Sequence, residues 1–268
     1  MIHRHHGHGR SRRSASARTV LVAVPLTVLT VLGAACSSSS STSTTTTKAT
    51  TTTTTSATNA AADTALAKTQ LLPASAYPAG WTGQGSGSTN TQASFFGGTD
   101  AAGVAAMVHC LGIPAASVNA NPAEAADQEY DDPNSSTTVT DTVDVYPSPA
   151  QALVDVQAAA SPKAPGCVNS LIVPGKSQQI AQQIGEGATV GKVTVTAATV
   201  PPAGVHSAAL VIAVPFTYQG VSGTISVEDV AVQQGRSESI LVFTGTDLAS
   251  QSATIDSLVT AAGNQLTT

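Results

Sequence analysis

The chain has 268 residues, a formal net charge of -5 and only 3% aromatic residues. Its charge is unevenly placed: five of the 11 basic residues precede Cys36 and all 16 acidic ones follow it, so residues 36–268 set six basic groups against sixteen acidic ones, a net -10. That balance excludes nucleic acid as a partner, because such binding rests on basic contacts to phosphate.

The first segment carries Arg4, Arg10, Arg12, Arg13 and Arg18, followed by an apolar run from Val20 to Ala35 interrupted only by Pro25, Thr27 and Thr30. At about 16 residues the run is shorter than the ~20 that span a hydrocarbon core. A basic start, a short apolar stretch and small residues at its end predict a signal peptide over residues 1–35 rather than an uncleaved transmembrane anchor. The segment ends in Leu32-Gly33-Ala34-Ala35-Cys36. This resembles the bacterial lipobox, with leucine one place earlier than usual, and the resemblance implies cleavage before Cys36 and diacylation of its sulfur. The alternative is an ordinary Ala-x-Ala cut that leaves a plain cysteine. Two acyl chains hold a protein on a bilayer where one is marginal. Arg12-Arg13 lacks the apolar pair that a twin-arginine signal places after it. His3, His5, His6 and His8 would leave with the signal peptide.

From Ser37 to Thr58 every residue is Ser or Thr except Lys48, Ala49 and Ala57. With no apolar side chains to bury, nothing offsets the entropy of ordering the segment. Residues 36–65 are expected to be a disordered tether, with a mean span of about 30 Å as a flexible coil. The remainder, residues 66–268, suits one domain.

Along that domain, Ala62 to Leu72 is predicted helical and stops at Pro73. Pro78-Ala79-Gly80-Trp81 is a turn, Gly83 to Gly98 a Gly/Ser-rich loop, and Asp100 to Cys110 a helix. Seven acids fall between Glu124 and Asp144. Asp127-Gln128-Glu129-Tyr130-Asp131 alternates like a calcium loop, but Asp132 stands where an EF-hand needs glycine and Thr138 where it needs glutamate. The cluster is read as a solvated loop. Thr138 to Tyr146 has strand alternation, with Asp141 breaking the apolar face. Ser148, Pro149 and Gln151 form a capping box for a helix that Pro162, Pro165 and Gly166 end. Strands follow over Lys192–Val200, Leu210–Tyr218, Thr224–Val232 and Ser239–Thr244, joined by turns at Gly220–Gly223 and Gly235-Arg236. Thr246-Asp247 caps a last helix. The expected fold class is α+β: an antiparallel sheet flanked by helices.

Two cysteines remain in the domain, Cys110 and Cys167. An oxidising, exported setting favours their pairing as a disulfide. A reactive thiol is the alternative, but the adjacent His109 would point a different way from Cys110.

Leu71-Leu72-Pro73, Pro78-Ala79-Gly80-Trp81-Thr82, Cys110, the block from Val143 to Ala152, Cys167 and the tail from Val230 to Gly235 together resemble actinobacterial secreted lipoproteins. They are also similar to the PknH-type extracellular sensor domain of mycobacterial kinases. The resemblance implies a disulfide-braced, helix-flanked antiparallel sheet with a cleft for an envelope ligand. The kinase sensors carry two disulfides, whereas this domain has cysteines for one, and no kinase domain is present.

No catalytic constellation emerges. Gly185 to Lys192 is one residue too long for a phosphate loop, and Val193 replaces the Ser or Thr that binds magnesium. There is no Gly-x-Ser-x-Gly elbow. Only His109 and His206 follow the signal segment, too few for a His-rich zinc site. The reading is therefore a non-enzymatic cell-envelope lipoprotein, held on the outer side of the membrane by Cys36, with a ligand-binding or sensor-like domain and no cofactor or metal. The rival reading is a structural module that binds another envelope protein.

Overall fold

A computed structural model describes residues 57–87, 101–114, 124–171 and 173–266. The signal segment, Cys36 and the Ser/Thr run up to residue 56 lie outside the described residues, as does Ser88 to Gly98 of the expected Gly/Ser loop.

The centre of the fold is an antiparallel sheet of eight strands: β1 (Thr82–Gly87), β2 (Glu124–Asp132), β3 (Thr137–Val145), β4 (Thr189–Val190), β5 (Thr194–Ala198), β6 (His206–Tyr218), β7 (Val221–Gln234) and β8 (Ser237–Gly245). The spatial order is β1-β2-β3-β8-β7-β6-β4, and β5 also pairs with β6. The strands form where β-branched residues alternate with polar ones, and tight turns set their register. Between β6 and β7, Gln219 and Gly220 both adopt positive φ (51° and 77°), which closes Tyr218 onto Val221. Such two-residue turns match the twist of the strands they join.

Helices cover both faces. On one face lie α1 (Ala57–Gln70) and α6 (Ser252–Gln265). They enclose Val139, Val143, Val145, Val230, Leu241 and Phe243 with Leu72, Ile255, Leu258 and Val259. On the other lie α2 (Ala101–Leu111), α3 (Pro149–Ala160) and α4 (Ala164–Leu171). Their Met107, Val156, Ala159 and Val168 close over Ala208, Leu210 and Ala231. A smaller cluster joins Ile184 at the end of α5 (Val173–Ile184) to Val193, Val214 and Ile225. The α+β class, an antiparallel sheet flanked by helices, is thus the observed architecture.

Several boundaries differ from the sequence reading. Residues 57–61, expected in the tether and ahead of the helix predicted from Ala62, are helical, and α1 packs along β2 and β3. Asp63 is buried there and its Oδ1 takes a 2.6 Å ion pair from Arg236. This partner lies 173 residues away in sequence, beyond the reach of a local composition argument. The stretch after Thr82 is strand β1 as far as Gly87, because β2 supplies a partner for a chain with little preference of its own. The acidic stretch is no solvated loop. Asp127, Glu129 and Asp131 form one side of β2, while Ala126, Gln128 and Tyr130 pair with Val143, Asp141 and Val139. A period of two in acids is equally the signature of a strand with one polar side. Pro165 and Gly166 start α4 instead of ending α3; in a first turn the missing N–H breaks no hydrogen bond. Ser148 precedes α3 with Pro149 in its first turn, but its hydroxyl meets Gln151 Oε1 at 3.1 Å rather than a backbone N–H. Asp247 opens a short 3-10 turn, Leu248–Gln251, and gives no side-chain cap. No described helix is long and apolar enough to cross a membrane.

Candidate functional site

The Leu71-Leu72-Pro73 and Trp81 motifs converge on one buried carboxylate. Asp141 points from β3 into the α1/α6 face and is fully buried. It accepts from Leu72 N–H at 2.8 Å, from Gln128 Nε2 at 3.0 Å and from Ser239 Oγ at 3.2 Å. Gln128 also donates to the Leu72 carbonyl at 2.7 Å. Desolvation raises Asp141 to about 6, although its three donors pull it down. Beside it Tyr77 stacks on Tyr130 with ring centroids 3.7 Å apart, and Trp81 lies 6.1 Å from Tyr77. The residue that broke the apolar face of β3 therefore pins the exit of α1 to the sheet. Both polar groups of Leu72 are satisfied by side chains, so these motifs form a structural clasp.

Cys110 and Cys167 are joined, with Cα atoms 5.8 Å apart, within the range a disulfide requires. The bond ties the last turn of α2 to the first half of α4. His109, adjacent in sequence, is exposed. Immediately beyond the bond, the end of α2 and the outer side of α3 enclose a groove of about 420 Å³. Leu111, Ile113 and Pro114 form one wall; Gln151, Val154 and Gln157 form the other. Lys163 Nζ approaches Gly112, another lining residue. The lining mixes aliphatic surface with side-chain amides. The expected cleft thus has a concrete candidate, on elements whose sequence gave no hint of it.

The inner side of α3 meets a group of acids on the sheet. Asp144 (β3) and Glu238 (β8) are register partners, and both are completely buried. Asp155 of α3 is buried, and Asp229 of β7 has Oδ1 closed to solvent. Tyr146 Oη lies 3.1 Å from Glu238 Oε2 and 3.4 Å from Asp155 Oδ2. Both oxygens of Asp144 and Oε1 of Glu238 have no hydrogen-bond partner. Desolvation, and secondarily repulsion from Asp155, raises Asp229 to about 7; desolvation alone raises Asp155 to about 6. Desolvation, then the neighbouring acids, holds Asp144 and Glu238 well above the carboxylate range. These carboxyls lie across α3 from the groove. Among the described residues no three His, Cys, Asp or Glu side chains are grouped so as to hold a metal ion.

Gly185 and Gly187 adopt positive φ (146° and 85°), and the stretch from Gly185 forms a turn leading into β4. His206 begins β6 and is exposed.

No family model matches the chain, and none of the curated proteins does. Among solved structures, the chain is similar to the crystal structure of the extracellular domain of PknH from Mycobacterium tuberculosis, at 13% identity over 73% of this chain and 95% of that one, with a TM-score of 0.41.

Proposed function

We propose that this chain is an exported, cell-envelope lipoprotein whose α+β domain is a non-catalytic binding or sensor-like module, with the α2/α3 groove as its ligand site. Residues 1–35 act as the signal peptide, Cys36 carries the lipid, and the Ser/Thr run is the tether. The observation that carries the reading is the groove itself. It is concave, it combines aliphatic walls with Gln151 and Gln157, and one wall is fixed by the Cys110–Cys167 bond. A wall braced in this way is preorganised, which reduces the ordering cost of binding. The buried acids lie behind α3, so they do not touch a molecule held in the groove. Among the described residues the exposed large apolar side chains are Leu171, Val205 and Val221.

Two measurements test this. Cys36→Ala should move the protein out of the membrane fraction and abolish palmitate labelling; a variant that stays membrane-bound, with a wild type that takes up no label, contradicts the anchor. Small-molecule extract of the host envelope should raise the thermal midpoint of the wild type but not of Val154→Trp, which fills the groove. Equal response of the two proteins contradicts the site.

A further inference from the structure

The interface between α3 and the sheet contains Asp144, Asp155, Asp229 and Glu238, with Tyr146 among them, while α3, β3, β7 and β8 carry no Lys, Arg or His. On β6 the residues facing this side are Ala208, Leu210 and Ile212, and α4 presents Ala164 and Val168. On β2, Asp127 lies on the same side, diagonal to Asp144, and is a further acid. Arg236, in the turn between β7 and β8, is engaged by α1 instead. Its guanidinium is held by Asp63 at 2.6 Å and by the Tyr146 carbonyl at 2.9 Å.

Two geometric facts indicate what balances these acids. Tyr146 carries one hydroxyl proton but touches two carboxyl oxygens, on Asp155 and Glu238. That single proton is directed at Glu238 Oε2 at 3.1 Å and more weakly at Asp155 Oδ2 at 3.4 Å, so one donor serves two buried carboxyls that would otherwise both carry charge. Asp144 is completely buried with neither oxygen partnered. An ionised carboxylate there would bear its full desolvation cost with no donor, whereas a neutral acid bears far less. Among the described residues these side chains are not grouped as metal ligands, and protons on the carboxyls would leave the interface neutral.

α3 has two working sides. Ala152, Asp155, Val156 and Ala159 are buried toward the sheet, while Gln151, Val154 and Gln157 line the groove. We propose that α3 is a proton-gated element: carboxyl protons shared among Asp144, Asp155, Asp229 and Glu238 hold it on the sheet, and their loss loosens it and deforms the groove on its outer side. Only the last step, the consequence for the groove, rests on the ligand-site reading above; the gating stands or falls without a ligand.

The test is hydrogen exchange on the full chain from about pH 6 to about pH 8, corrected for the intrinsic pH dependence of exchange. Protection of α3 amides should fall about tenfold or more, the effect of one unit of proton linkage. α6, on the opposite face, should hold its protection over the same range. Asp144→Asn/Glu238→Gln should flatten the α3 response. In the wild type alone, infrared spectra should show a protonated-carboxyl carbonyl band at about pH 6 that disappears in step with α3 protection. Parallel behaviour of α3 and α6, absence of that band at about pH 6, or a stoichiometric divalent cation in the purified protein overturns the proposal.

Discussion

Single atoms decide two close approaches in this fold. A Cβ on Gly263 would collide with the Gly204 backbone nitrogen and lie 2.9 Å from the Ala203 Cβ. Gly204 itself has φ +58°, and its own Cβ would meet the Gln233 carbonyl oxygen at 2.7 Å. Helix α6 can therefore lie against the Ala203-Gly204 loop only because Gly263 lacks a side chain. Gly263→Ala is expected to destabilise the domain by about 1–3 kcal/mol, the usual cost of forcing atoms into a packed site. Equilibrium urea unfolding measures it, and an unchanged midpoint contradicts the contact. Asp141 gives a second residue-scale expectation. Asp141→Ala leaves the Leu72 N–H, the Gln128 amide and Ser239 without their shared acceptor, at a cost of about 1–3 kcal/mol or more. Asp141→Asn, which keeps one acceptor oxygen, should cost less; equal losses contradict the clasp. The sequence made Asp141 visible as an interruption in β3. Its partners lie 69 and 98 residues away for Leu72 and Ser239, which is why its role could not be read from the local pattern.

The elements that alternate regularly were the legible ones. β3 and β6 to β8 carry their period of two in plain view, and Gly220 and Gly235 mark their turns, although the turn expected over Gly220–Gly223 is the pair Gln219-Gly220 and β7 already begins at Val221. β1 and the start of α1 were not legible, because their support comes from the partner rather than the composition. The inner and outer sides of α3 were half legible: Ser148, Pro149 and Gln151 marked where the helix begins, but nothing local showed that Asp155 faces the sheet. At this scale the disulfide links α2 to α4 over a sequence separation of 57. Cys110→Ser/Cys167→Ser should lower stability by up to about 4 kcal/mol on the chain-entropy model. Since Asp127 to Asp132 is paired strand rather than flexible loop, new protease cleavage should appear around α2, whose last turn the bond holds, and spare β2. Cleavage centred on β2 contradicts that. Deletion of residues 37–56 should leave the thermal midpoint unchanged, while deletion of 37–65 should lower it by removing most of α1 and the Asp63–Arg236 pair. That pair alone is worth little, because the Arg236 side chain is 36% exposed; the larger loss comes from α1 packing.

For the molecule as a whole, the carboxyls with a clear shift all move upward: Asp141, Asp144, Asp155, Asp229, Glu238 and, more mildly, Glu129 and Glu228. A raised carboxyl binds its proton more tightly in the folded state than in the unfolded chain. The folded protein therefore holds more protons above the ordinary carboxylate range of about 4, and stability falls as pH rises from there through about 7. Unfolding at fixed temperature should show greater stability at about pH 5 than at about pH 8. A maximum at the higher pH contradicts the buried-acid account. The acidic total was readable from the sequence; that four of its members share one side of one helix depends on the topology that brings β3, β7 and β8 together.

The central claim is that the groove between α2 and α3 holds a small envelope molecule. Native mass spectrometry of the full chain, extracted from the membranes of its own host, tests it most directly. The account predicts a non-covalent small-molecule adduct on the wild type that is absent from Val154→Trp, with both proteins folded. Wild-type protein whose mass is that of the polypeptide and its lipid alone, or an adduct retained unchanged by Val154→Trp, would contradict it.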